Sequence, residues 1–307
     1  MIRLYSHQSG QLHEPGPGHP EAPIRLRTVE AALAAAALPF IERVEAPKAS
    51  LAQIAAAHPE PYPEMILSAA PDEGYVRLDP DTVMNPHTID ATLRASGAVC
   101  AGIDAVIAGE VGRAFVLMRP PGHHAEADRA MGFCFFNQIA VGTHHAKARH
   151  NVEKIAIVDF DVHHGNGTQA IFWDDPDTLY VSGHQWPLFP GTGQEHERGA
   201  HNNILNLTFS DGTGGARWRR RMEQEALPAI ASFNPDLLLI SAGFDAHEMD
   251  PLASMRLVES DFTWITERLV EVADQTCDGR IVGCLEGGYH PDALARSVIA
   301  HLNALKI

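Results

Sequence analysis

The chain has 307 residues, 45% of them hydrophobic, which is enough for one sizeable core and leads us to expect a single domain over residues 1–307. Lys and Arg number 23 against 39 Asp and Glu, a formal net charge of −16. Such a surface repels phosphate backbones and attracts cations, which excludes nucleic acid as a partner and suits a cationic substrate.

In chain order, apolar runs that end in turn residues alternate with longer stretches whose apolar residues recur at three and four. The pattern predicts a strand over Ile2 to Leu4, then helices over Arg25 to Leu38 and His87 to Ala108. A strand over Ala114 to Met118 precedes a helix over Gly132 to Ala148. Strands over Lys154 to Asp159, Leu179 to Ser182 and Asn203 to Thr208 come next, then a helix over Arg217 to Phe233 that opens on a basic, solvated run. The strand Asp236 to Ala242, the helix Phe262 to Gln275 and the strand Arg280 to Leu285 complete the series. Alternation of this kind is the signature of βαβ units and a mostly parallel sheet. No solenoid repeat or Gly/Ser/Pro linker divides it.

Four scattered cysteines without a CxxC pair point to a reducing compartment. The opening MIRLYSHQSG lacks an apolar signal-peptide core, and no window reaches the roughly 18 apolar residues of a membrane helix. A cytoplasmic location without a membrane partner is expected. The oligomeric state, a homo-oligomer included, is left open.

Chemistry gathers in the loop after each strand. AFVLM runs into RPPGHHA, KIAIV into DFDVHHGNG, LYVS into GHQWPLFPGTG, DLLLISA into GFDAHEMDP, and RIVGC into LEGGYH. Parallel sheets bind ligands beyond the carboxyl ends of their strands, so these loops are expected to meet. In an extended backbone Asp159, Asp161 and His163 share a face, and two carboxylates with an imidazole suggest a cation site that Asp245 could complete. Three such ligands leave positions open for water and substrate, and suit zinc, iron, cobalt or manganese. The doublet His123 and His124, with Asp159 and Asn166 available to orient it, suggests acid/base work. Tyr289 after Gly287 and Gly288 could reach a developing oxyanion, although a tyrosine after two glycines is commonly just a turn.

In order along the chain, HPEAPIR, RPPGHHA, GFCFFN, DFDVHHGNG, FPGTG, SAGFDAH, DPL and LEGGY resemble the histone deacetylase family, including its bacterial acetylpolyamine amidohydrolases. The resemblance implies an arginase/deacetylase-like three-layer α/β fold with a central, mostly parallel sheet flanked by helices. It implies a zinc held by Asp161, His163 and Asp245, with Fe2+ or Co2+ as alternatives. His124, oriented by Asn166, would be the general base and then acid, and His123, held by Asp159, its electrostatic partner. Tyr289 would donate to the oxyanion, a contact worth roughly 3 to 4 kcal/mol. Gly132, Phe133, Phe189 and Leu252 would shape a narrow substrate tunnel, and Arg25 would line an acetate exit. Asp159, Ser182 and backbone near Asp161 and His163 would hold a buried monovalent cation, K+.

The implied activity is hydrolysis of an acetyl-lysine-like amide, in a small molecule or a peptide. An acetylpolyamine amidohydrolase is the alternative. Polyamine specialists can carry an acidic residue seven positions after the last metal ligand, where this chain has Leu252, although Glu14, Glu21, Asp79 or Asp81 could serve from elsewhere. An inactive metal-binding module is disfavoured because every catalytic position is filled. A two-manganese arginase-like site needs more aspartates. His144 and His145 read as solvated, His58, His150, His196 and His201 as loop or element-end residues, His184 and His247 as rim candidates, and Cys134 as a buried, inert thiol.

Overall fold

The computed structural model describes residues 1–306. Its strands are β1 (Ile2–Ser6), β2 (Ile41–Glu45), β3 (Val76–Arg77), β4 (Val83–Met84), β5 (Arg113–Val116), β6 (Ile155–Asp159), β7 (Thr178–Gln185), β8 (Ile204–Phe209), β9 (Leu237–Ala242) and β10 (Ile281–Leu285). Eight of them form one sheet in the order β2-β1-β5-β10-β9-β6-β7-β8, with every pairing parallel. The remaining two, β3 and β4, make a short antiparallel ribbon.

Both faces of the sheet are covered, so the central strands are apolar throughout. In β6, Ala156 and Val158 enter one core and Ile155 and Ile157 the other; in β9, Leu238 and Ile240 oppose Leu237 and Leu239 in the same way. The first core is closed by the helices Ile24–Ala36, Glu259–Thr276 and Pro291–Leu305, the second by Thr88–Ile107 and Gln138–His150. Each fully buried Leu or Ile contributes about 1.5–3 kcal/mol of transfer free energy. The result is the three-layer arrangement expected.

Two local expectations are corrected and one edge strand is added. The helix predicted from Gly132 starts at Gln138 instead, because Gly132 (φ 56°) and Phe133 (φ 68°) are left-handed and Asn137 caps the helix by accepting the Ala140 N–H at 3.0 Å. The helix predicted over Arg217 to Phe233 divides into Gly215–Arg221, a π-type turn at Met222–Ala226, and Leu227–Phe233. Pro228, at the start of the last piece, has no N–H to donate back along the helix and its ring crowds the preceding turn. Strand β2 was not foreseen, since an edge strand reading IERVE carries charges where a central strand carries Val and Ile.

Candidate active site

Strand β6 pairs with β7 and β9 so that Asp159 stands beside Ser182 and Ser241 at the carboxyl edge of the sheet. Past that point Phe160 and Val162 sink into the first core, which turns Asp161 and His163 the other way. His163 Nδ1 lies 3.1 Å from Asp161 Oδ1 and 3.1 Å from Asp245 Oδ2, and all three side chains are buried. The carboxylates are held from behind. Asp161 Oδ2 accepts the Gly287 N–H at 2.8 Å and Asp245 Oδ1 accepts the Val162 N–H at 2.8 Å. A Cβ at Gly287 would overlap Asp245, so the backbone can come this close only as glycine.

This donor set suits a divalent cation. Asp245 is pushed up to about 7, first by burial and then by the Asp161 carboxylate, while His163, despite its burial, rises to about 10 on its bonds to the two carboxylates. A single ring proton can sit between His163 Nδ1 and two carboxylate oxygens. A metal ion in its place would serve all three donors and neutralise the buried negative charge.

The histidine doublet arrives on the loop after β5. His123 Nδ1 lies 2.9 Å from Asp159 Oδ2, which also accepts the Tyr180 hydroxyl at 3.0 Å. His124 Nδ1 lies 2.9 Å from Asn166 Oδ1, and the Asn166 amide is oriented by donating to Glu126 Oε1 at 2.8 Å. The two rings are 4.0 Å apart between centroids. Their partners differ in charge, and their basicities separate accordingly. Burial pulls the His123 imidazole down, but the Asp159 and Asp161 carboxylates outweigh it and hold it well above the usual histidine range. Burial drives His124 well below that range, and the neighbouring His123 and His163 add to the effect.

A cavity of about 240 Å³ opens over these groups, lined by Asp81, His124, Gly132, Phe133, His163, Leu188, Phe189, Leu252 and Tyr289. All four residues expected to shape a tunnel are therefore in its wall. A Cβ at Gly132 would collide with the His124 ring. Phe133 is held in a left-handed backbone conformation that L residues with bulky side chains rarely adopt, costing on the order of 1–3 kcal/mol. It stands edge-on to Tyr289 at 5.8 Å and is fixed in place through its N–H bond to Thr82 Oγ1 at 3.1 Å. Burial raises the Tyr289 hydroxyl well above the usual phenol value, so it stays a proton donor.

Arg25 lies behind Tyr289, its guanidinium 4.8 Å from the ring centroid. It is fully buried, bonded to Glu21 Oε1 at 2.8 Å and to the carbonyls of Gly288 and Glu286. The Ser182 hydroxyl contacts His184 Nδ1 at 2.9 Å, and both Asp159 oxygens accept hydrogen bonds, Oδ1 from the Asp161 N–H at 3.1 Å. Among the acidic residues left unplaced by sequence, Asp81 reaches the cavity, and Glu21 is buried between Arg25, Arg119 and His13. Asp79 is spent on the Asp81 N–H and Glu14 on the Gly16 N–H.

Several contributors were not singled out from sequence. Glu286 Oε2 accepts the N–H groups of Gly122 at 2.7 Å and His123 at 3.2 Å, and burial pushes this carboxyl up to about 7. Asp250 accepts from Tyr289 and Leu252. Both lie inside the motifs LEGGY and DPL, and an acid placed just past a buried strand or metal loop was the available signal. Of the histidines set aside, His144 and His145 are half-buried rather than solvated, because the former packs on Phe172 and the latter meets Asp104. His184 holds the Gly193 carbonyl at 2.9 Å, His247 is buried against Glu259 at 3.4 Å, and Cys134 is buried with its thiol raised by that burial.

A wholly parallel sheet with this cluster at its carboxyl edge is an α/β architecture of the arginase and deacetylase type. The comparisons agree: a model of the histone deacetylase domain matches residues 19–305. The chain belongs to the histone deacetylase family. It is 40% identical over 299 residues to an uncharacterised protein of Synechocystis, covering 95% of both chains. It is 39% identical over 280 residues to a histone deacetylase-like amidohydrolase of Pseudomonas aeruginosa, covering 89% of this chain and 73% of that one. The crystal structure of the HDA15 HD domain superposes with a TM-score of 0.94 at 32% identity, over 99% of this chain and 87% of that chain. Among the described residues no helix is long and apolar enough to cross a membrane.

Proposed function

We propose that the protein is a metal-dependent amidohydrolase that removes acetyl groups from acetyl-lysine-like amides. The observation that carries this reading is the asymmetry of the histidine pair. One imidazole is backed by the Asp159 carboxylate and the other by the neutral Asn166 amide, beside the Asp161, His163 and Asp245 cluster. Titratable groups whose surroundings drive their pKa values apart are the pattern of an acid/base site.

Asp161, His163 and Asp245 would hold zinc, with iron or cobalt as alternatives suited to the same donors. When bound, such an ion supplies Lewis acidity to a carbonyl and acidifies water. The remaining work falls to the chain. The cavity wall of Phe133, Phe189 and Leu252 seats an alkyl chain and excludes bulk water. His124, neutral before reaction, takes a proton from the attacking water, and His123, kept charged by Asp159, stabilises the negative charge that develops on the substrate. Tyr289 donates its hydroxyl to the oxygen that becomes negative. His124 then returns the proton to the departing nitrogen, so one amide and one water become acetate and the protonated amine. Acetate leaving past Tyr289 would meet the Arg25 guanidinium. A monovalent cation such as K+ near Asp159, Asp161, His163 and Ser182 would draw on the Asp159 Oδ1 lone pair left free beside its one N–H bond, on the Ser182 hydroxyl and on backbone carbonyls.

An acetylpolyamine is the second reading, and Asp81 in the cavity wall favours it, because an acidic group there suits a substrate with a distal cation. The test is kcat/KM for an acetyl-lysine peptide, N-acetylputrescine and longer acyl amides, with and without a chelator. Turnover unaffected by chelation would sink the metal-dependent reading. A polyamine preferred over the peptide would reverse the choice of substrate.

A further inference from the structure

On the face of the molecule formed by the helices Thr88–Ile107 and Gln138–His150, three donor side chains meet at one point. Asp104 Oδ1 lies 2.7 Å from His145 Nε2 and 2.6 Å from His150 Nε2, and the two rings are 5.8 Å apart between centroids. The imidazole side chains are 11% and 20% exposed and the carboxylate 50%. The rings are therefore held by packing while the carboxylate faces water. No Lys or Arg among the described residues pairs with Asp104, and Lys147, on the same helix as both histidines, is taken by Asp175 at 2.6 Å.

A simple hydrogen-bonded triad is the ordinary state of such a cluster when no ion is bound. Gln53 shows how His145 is set in that state. Its Oε1 accepts from the Ser50 N–H at 2.8 Å and hydroxyl at 3.0 Å, so its Nε2 faces His145 Nδ1 at 3.3 Å as a donor. His145 Nδ1 then accepts, and Nε2 carries the proton toward Asp104. Two imidazole nitrogens of one helix converging on a carboxylate oxygen of the other also form a ligand set for a borderline metal, with waters in the remaining positions.

We propose that Asp104, His145 and His150 form a second divalent metal site that takes Ni2+, Cu2+ or Zn2+ and clips the two helices together. Imidazole donors select these ions over Mg2+ and Ca2+, which prefer all-oxygen shells. On binding, each ring shifts to the Nδ1–H tautomer, and the Gln53 amide turns to accept from His145 at the expense of its bonds to Ser50. The site is independent of the catalytic reading and would stand if that reading failed. Because the unfolded chain does not hold these three groups together, the ion binds the native state and raises its melting temperature.

The experiment is native mass spectrometry of the untagged, chelator-stripped chain titrated with Ni2+, alongside a melting curve at each metal level. The Asp104→Asn variant and the His145→Gln/His150→Gln variant should each bind one ion fewer than the wild type and lose part of its metal-induced rise in Tm. A wild-type ion count retained in either folded variant overturns the proposal. Asp104→Asn preserves side-chain size, so failure of the double variant to fold would leave the single variant to decide.

Discussion

Asp250 joins the proposed oxyanion donor to the cavity rim: its Oδ2 accepts the Tyr289 N–H at 2.7 Å and its Oδ1 the Leu252 N–H at 3.0 Å. One carboxylate thereby sets the backbone of a residue that would act on the carbonyl and of another that would select the substrate. A hydrogen bond to a charged group contributes about 1.5–3 kcal/mol. Asp250→Asn, which keeps the size but removes the charge, should lower kcat on an acetyl-lysine reporter by about tenfold or more while the fold is retained. Steady-state kinetics with a melting curve checks this, and an unchanged kcat would remove Asp250 as a positioning residue.

Tyr289→Phe removes only the hydroxyl and leaves the ring packed beside Phe133 and Arg25. Loss of one oxyanion donor should cost about 100–1,000-fold in kcat with little change in KM. Wild-type turnover in this variant would place the oxyanion elsewhere.

The Asn166 amide keeps a second carboxylate away from His124, whose imidazole is held well below its usual range by burial and by the neighbouring His123 and His163. In Asn166→Asp the new carboxylate favours the imidazolium and raises the His124 pKa. A general base works only above its own pKa, so the acidic limb of the kcat/KM profile should move to higher pH. A limb that stays in place would show that His124 is not the base.

His301 lies in the first core, away from the cavity, with Nδ1 2.7 Å from Thr266 Oγ1, and burial lowers its pKa to about 3. Its folded value is below the unfolded one, so the folded state has its full stability above about pH 6.5 and loses it as pH falls and the unfolded chain takes up a proton. By pH 5 this one residue should cost about 2 kcal/mol. Urea unfolding at pH 7 and 5 should show His301→Gln losing correspondingly less stability than the wild type over that interval. Identical losses would place the proton uptake elsewhere.

The central strands β6, β9 and β10 are legible because each is an apolar run ended by Asp159, Gly243 or Glu286, and the long helices because their apolar residues recur at three and four. The edge strand β2 and the helix Pro291–Leu305 were not picked out, the former because its charged alternation resembles an exposed loop or helix face. Gly132 and Phe133 were drawn into a helix because periodicity carries no information about a positive φ.

By itself, the sequence determined which groups are candidates for the site. Asp159, Asp161 and His163 stand at every second position, and the glycines that let the backbone approach them lie in the neighbouring motifs. Only the tertiary structure decided which group answers to which. Glu286 reaches His123 across 163 residues, Asp250 reaches Tyr289 across 39, and Asp104 meets His150 across 46. The physical reason is that local spacing sets side-chain direction along one element, whereas hydrogen-bond partners and pKa shifts depend on what the packed layers bring alongside it.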